Sequence, residues 1–210
     1  MSRYTGPVCR LCRREGEKLF LKGDRCYTDK CAVGRRAKSM APGQHGAAVK
    51  KQKEYGTQLR EKQKAKRIYG LHETQFRNLF KRAEKKDGMA GVNLLILLEL
   101  RLDNIIYKMG MAESRKEARQ LVSHGHFSVN GKKADISSMI LSLGDVVALR
   151  EGSRSLEKIK DLVANLDNRQ TVKWIEFNGN DISAKITAIP AREDIDFPFK
   201  EHLIVELYSK

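Results

Sequence analysis

Apolar residues recur at helical spacing in two stretches, at Phe76, Leu79, Phe80 and Ala83 and again at Leu94, Leu95, Leu98, Leu102, Ile105 and Ile106. Steps of three and four place each set on one helix face, so helices are predicted over 72–86 and 92–108, with the breaker DGMAG between them. The second stripe is broad enough for a helix buried in a core. Upstream, KKQKEYGTQLREKQKAKR over 50–67 reads as a helix charged on nearly every face, its interior weakened by Gly56. Such a helix holds only when it is salt-bridged or when a partner neutralises its charge.

Farther along, Ser114 followed three residues later by Glu117 predicts a capping box and a short helix that ends near His124, with Gly125 as a left-handed cap. Ala118, Leu121 and Val122 share one face of it. Arg115 and Arg119, four apart, lie on the flank, where the helix can dock and still hold out guanidinium groups. Phe127 and Val129 then alternate with polar residues up to Asn130-Gly131, a strong hairpin signal, and the chain returns through KKADI. LGDVVALR, residues 143–150, supplies another strand. Beyond it SLEKIKDLVANL is helical, VKWIEF and ISAKITAI are strand-like around NGND, and LIVELY reads as a final strand. The pattern describes an α+β chain in four parts: an arm over 1–46, a helical domain over 47–98, a helix-hairpin module over 99–163 and a C-terminal αβ segment over 164–210 that packs back on the others.

The arm has little hydrophobic periodicity and no material for a core. Charge sharpens the picture, because the 41 Lys and Arg outnumber the 26 Asp and Glu for a formal net charge of +15. Residues 1–67 carry 19 basic and 6 acidic side chains, residues 68–133 carry 12 and 7, and residues 134–210 carry 10 and 13. An excess concentrated in the N-terminal third answers a polyanion, with nucleic acid favoured over an acidic membrane surface. The longest apolar run, Leu94 to Leu98, is too short to span a bilayer and no signal segment opens the chain, so a cytoplasmic protein with no membrane partner is expected.

Four cysteines stand at Cys9, Cys12, Cys26 and Cys31 and none follows. Two short pairs joined by a longer loop can close tetrahedrally around one zinc ion, each pair chelating one side. An all-thiolate site also suits an iron-sulfur cluster. Buried free thiols fit less well, since the arm has so little core to bury them in, and disulfides are disfavoured in a reducing compartment. A structural metal can supply about 10–16 kcal/mol of folding free energy in small domains. It would take the place of a core and leave Arg10, Arg13, Arg14, Lys22, Arg25, Arg35 and Arg36 free to be basic on a rigid loop.

Catalytic chemistry finds no support. The five histidines form no triad signature or HExxH, there is no phosphate-binding glycine loop, and Asp103 reads as a structural partner of Arg101. No enzyme and no small-molecule substrate are expected.

The segments PVCRLCRREG, PGQHG, LREKQKAKRIYG, QFRNLF, RLDNIIYKMGMAESRKEARQLVSHGHFSVNGKK and LIVELYSK follow in one order from about Ser2 to Lys210. This order resembles the bacterial small-subunit ribosomal protein family conventionally numbered four, in its cysteine-bearing, zinc-binding form. The resemblance implies a metal-stabilised arm, a helical domain and a small RNA-binding module. It also implies a primary binder of 16S rRNA that nucleates assembly of the 30S body, sits near other 30S proteins and the incoming mRNA, contacts small-subunit protein five, influences decoding accuracy and regulates its own operon's translation. Arg3, Arg10, Arg13, Arg14, Lys22, Arg35, Arg36, Arg60, Lys62, Lys66 and Arg67 are expected on the RNA surface. Gln44 and His45 join them between Gly43 and Gly46, glycines that either let backbone approach phosphate closely or simply form a surface turn. The module's motif adds Arg101, Arg115, Arg119, His124 and Lys132. Two rival readings are an RNA-binding appendage of an RNA-modifying or aminoacylating enzyme, for which no catalytic domain is visible after Lys133, and a zinc-dependent nucleic-acid-binding regulator.

Overall fold

The computed structural model describes residues 4–34, 40–48, 51, 53–164, 172–179 and 181–209. In chain order the helices are α1 (Cys9–Glu15), α2 (Glu54–Ile68), α3 (Glu73–Glu84), α4 (Ala90–Glu99), α5 (Leu102–Lys108), α6 (Arg115–Ser123), α7 (Glu151–Arg154), α8 (Glu157–Ala164) and α9 (Glu201–Tyr208). The strands are β1 (Phe127–Val129), β2 (Lys132–Ala134), β3 (Val146–Leu149), β4 (Ile175–Asn178) and β5 (Ser183–Ile186). They fall into two compact units, Met1–Leu94 together with Phe197–Lys210, and Leu95–Asp196, the chain passing from one to the other within α4.

In the first unit the predicted stripe of α3 is buried as expected: Phe76, Leu79, Phe80 and Ala83 are all inside, with Ala65 and Ile68 of α2. His72 stands at the α3 N-cap, and the Gln75 side chain reaches back to accept from its backbone N–H at 3.5 Å. LIVELY, expected as a strand, is the body of helix α9. A six-residue apolar run fits either period, and packing decides between them. As a helix it brings Ile204, which is fully buried, and Tyr208, four residues on, to the same side, where Tyr208 stacks on Phe80 with ring centroids 4.6 Å apart. The start of α4 lies close against α9, since a Cβ built on Gly91 would stand 3.0 Å from that of Glu201.

The second unit is a five-stranded antiparallel sheet of order β2-β1-β3-β5-β4, with helices that bury their apolar faces in one core around Leu102, Ile105, Ile106, Phe127 and Trp174. The β1–β2 turn has Asn130 at φ 49° and Gly131 at φ 78°, the signs of a type I′ hairpin turn. Ser114 accepts from Glu117 N at 3.3 Å and Glu117 accepts from the backbone N–H of Glu113 at 2.8 Å, so α6 starts where its capping residues placed it. The stretch 164–210 is divided, because β4 and β5 extend the module's sheet while α9 belongs to the first unit.

The helix expected over 92–108 is broken into α4 and α5. Arg101 is extended (φ −73°, ψ 139°) and bridges Ile140, with Leu141 N donating to Leu100 O at 2.9 Å and Leu102 N to Met139 O at 2.8 Å. The break gives the 137–141 segment, whose Ser137 and Leu141 are buried, main-chain partners that an unbroken helix would deny it.

Candidate nucleic-acid interface and thiol cluster

All four cysteines line one small cavity of about 20 Å³, together with Val8, Leu21, Lys22, Arg25, Ala32 and Val33. Cys12 and Cys26 are buried. Lys22 N donates to Cys26 Sγ at 3.3 Å. Burial and the neighbouring thiols push Cys12 and Cys26 up, against backbone hydrogen bonds from Leu19 and from Lys22 and Leu21. At Cys31 burial acts the same way, yet backbone hydrogen bonds from Gly34 and Val33 and the charges of Lys18 and Arg25 bring the thiol below its ordinary range. Backbone N–H groups aimed at sulfur and cations beside it favour thiolate, the form a metal binds. Four thiols around one cavity are the donor type a thiolate-binding ion takes, although among the described residues no three His, Cys, Asp or Glu side chains close into a metal-holding group.

Around this cluster Arg10, Arg14 and Lys22 are exposed, and Arg13 donates to Met40 O at 3.1 Å. Arg3, Arg35 and Arg36 lie outside the described residues. Gln44 and His45 are exposed on a turn closed by Gly46 N donating to Gly43 O at 3.1 Å. Gly46 has a structural reason of its own: a Cβ there would sit 1.8 Å from Ala41 O.

Of the two ways a helix of this composition can hold, salt bridges or a neutralising partner, α2 shows the first. Glu15, its carboxyl buried, takes both Arg60 at 3.2 Å and Arg67. Burial pushes the Glu15 carboxyl up and the two arginines oppose this. Lys62 (2.7 Å) and Lys66 (2.9 Å) both reach Glu73, to which Tyr208 Oη also donates at 2.8 Å. Although burial works the other way, the Lys62, Lys66 and Tyr208 hydrogen bonds hold the Glu73 carboxyl down at about 2. Lys64, between Glu61 and Glu17, is largely buried. The expected RNA-binding cations of α2 are thus also internal struts that fix α1 and the start of α3 on α2.

In the second unit Arg101 departs most from expectation. It is 2% exposed and grips Asp103 through Nε at 3.1 Å and Nη2 at 3.0 Å, so its guanidinium serves the fold and is not open to a phosphate. Arg119 also binds Asp103, through Nε at 3.0 Å, and Arg115 Nε donates to Asn104 Oδ1 at 2.7 Å. The two α6 arginines are therefore folded back on α5 rather than held out, with Arg115 lying over the Tyr107 ring. At the other end of α6, His124 and Lys132 are exposed beside Lys133 and Arg150; Arg150 donates to Gly125 O at 3.1 Å, and His124 and His126 have ring centroids 5.9 Å apart. Burial, then His124 and Arg150, push His126 down.

Of the residues that hold these cations, Asp103 was expected as the partner of Arg101, whereas Glu15, Glu73 and Asn104 were not singled out in the sequence. Only Asp103 carried a signal, in its spacing from Arg101. No described helix is long and apolar enough to cross a membrane.

A family model for the ribosomal protein S4/S9 N-terminal domain matches residues 3–99, and one for the S4 domain matches residues 100–147. Small ribosomal subunit protein uS4 of Clostridioides difficile is 62% identical over 210 residues, covering all of both chains. The chain belongs to the ribosomal S4 family. Other similar uS4 proteins are those of Acetivibrio thermocellus, 59% identical, and Clostridium acetobutylicum (uS4A), 63% identical, again over the full length of each chain. Members of the ribosomal S4 family are structural constituents of the ribosome and not enzymes, which sets aside the reading as an appendage of an RNA-modifying enzyme. The S4 domain match coincides with the region that holds α5, α6 and the β1–β2 hairpin, where the paired and stacked cations lie.

Proposed function

We propose that this chain is a structural component of the small ribosomal subunit that binds 16S rRNA early and nucleates assembly of the 30S body. The observation that carries the reading is 62% identity over the full length to a small ribosomal subunit protein. Its physical support is a net charge of +15 with cations clustered at the thiol arm, along α2 and around the hairpin. Lysine and arginine contacts to phosphate supply affinity, and RNA shape supplies selectivity because the deep groove of an RNA duplex admits few side chains. Resemblance extends the reading to contacts with small-subunit protein five, other 30S proteins and incoming mRNA, to decoding accuracy and to control of its own operon's message.

The arm holds one zinc ion through Cys9, Cys12, Cys26 and Cys31 in this reading. The ion supplies no chemistry beyond tying two chain segments together, and the shared cavity and the N–H groups directed at sulfur support it. An iron-sulfur cluster is the alternative occupant. Mass spectrometry of anaerobically purified protein should find one zinc per chain; iron in cluster stoichiometry would replace zinc with the alternative, and a metal-free protein would refute both. The RNA reading is tested by titrating the full chain with 16S rRNA and with duplex DNA of equal charge at matched salt. Tighter binding to the rRNA is expected, and equal binding would leave a general polyanion binder.

A further inference from the structure

Asn104, in the first turn of α5, is 1% exposed and its carboxamide is fully engaged. Nδ2 donates to the main-chain oxygen of Glu99 at 2.9 Å and to Glu99 Oε2 at 2.7 Å, while Oδ1 accepts from Arg115 Nε at 2.7 Å. Only one orientation of the amide works. A guanidinium offers donors alone and a carboxylate acceptors alone, so turning the amide over would set like against like on both sides. The Arg115 guanidinium carbon stands 4.5 Å from the centroid of the Tyr107 ring, within reach of cation–π attraction. Together the hydrogen bond and the ring contact restrain the guanidinium. Arg115 nevertheless stays partly exposed, in contrast to Arg101, which is sealed against Asp103.

We propose that Asn104 is a positioning residue for RNA binding: anchored on the buried Glu99, it locks the Arg115 guanidinium over Tyr107 in the orientation that meets a backbone phosphate. The proposal rests on α6 contacting RNA. An unrestrained arginine loses the freedom of a long side chain when it binds, and here that cost is met in the folding of the module. Asn104 achieves this without touching RNA, since it is buried beneath the side chain it orients.

The test is a set of affinities of the full chain for transcribed 16S rRNA, measured over a range of KCl concentrations. Asn104→Ala should weaken binding roughly two- to tenfold, the cost of immobilising one long side chain, and leave the salt slope unchanged because the charge is unchanged. Arg115→Ala should weaken binding and make the slope shallower by about 0.7–0.9 for one lost phosphate contact. The double variant Asn104→Ala with Arg115→Ala should bind no worse than Arg115→Ala alone. Arg115→Lys keeps the charge, lacks the Nε–H held by Asn104 and leaves Asn104 in place, so it should reproduce the Asn104→Ala result and serves if that variant does not fold. A double variant weaker than Arg115→Ala by the whole Asn104→Ala factor would overturn the proposal, with Asn104 acting on the fold alone. Parent-like binding by Arg115→Lys would overturn it too. If Arg115→Ala itself binds with the parent's affinity and slope, the placement of α6 on RNA falls, and the proposal with it.

Discussion

Replacing Asp103 by asparagine isolates the buried charge cluster beneath α6. The Asp103 side chain is 3% exposed and receives two guanidiniums, from Arg101, also 3% exposed, and from Arg119, 12% exposed. Asparagine keeps the shape and one acceptor oxygen but removes the negative charge, so one of its two oxygen contacts becomes an N–H facing a guanidinium. Removing one partner of a buried ion pair costs about 3–5 kcal/mol, because the remaining charge stays buried without compensation. The retained oxygen puts Asp103→Asn near the lower end, about 3 kcal/mol. Trp174 is the only tryptophan and is buried in the same core, so its fluorescence follows unfolding of this unit specifically. With a urea m-value of about 2 kcal/mol per molar, the midpoint should fall by roughly 1.5 M. A fall of less than about 0.5 M at unchanged m would show that Arg101 and Arg119 are not held by the Asp103 charge.

Three further substitutions probe the other parts. Glu73→Gln should cost about 1 kcal/mol at pH 7, the value left once solvent screening of a side chain 45% exposed is taken into account. Because the folded carboxyl lies at about 2 against an ordinary 4.5, that stability is present above about pH 4.5 and lost as pH falls towards 2, so thermal melts of parent and variant should converge at low pH; a constant gap would contradict the ion-pair account. Gly56→Ala should stabilise α2 by up to ~1 kcal/mol and raise the calorimetric midpoint by about 2–4 °C, since an added Cβ meets nothing within 4 Å; a lower midpoint would argue against it. Cys9→Ser should raise hydrogen exchange through the first 46 residues while Trp174 fluorescence still reports a folded second unit. Loss of both together would join the thiol arm to that core.

What the sequence by itself determined is the set of features with local causes. The α3 stripe, the Ser114–Glu117 cap and the Asn130-Gly131 turn lie where their own chemistry puts them, because periodicity, capping and left-handed φ are decided within a few residues. The composition of α2 required that its charge be met by salt bridges or by a partner, and the spacing of the cysteines allowed them to gather around one cavity. Tertiary structure decided whatever depends on a distant partner. LIVELY became a helix because Tyr208 finds Phe80, and the helix expected over 92–108 broke at Arg101 because the 137–141 segment needed main-chain partners there. The same holds for the cations: a run of arginines and lysines announces a polyanion partner, but which of them face it depends on carboxylates and amides distant in the chain, as in Arg67 with Glu15, 52 residues away. Charge is written into the sequence, whereas its direction is set only when the fold brings a holder to each side chain.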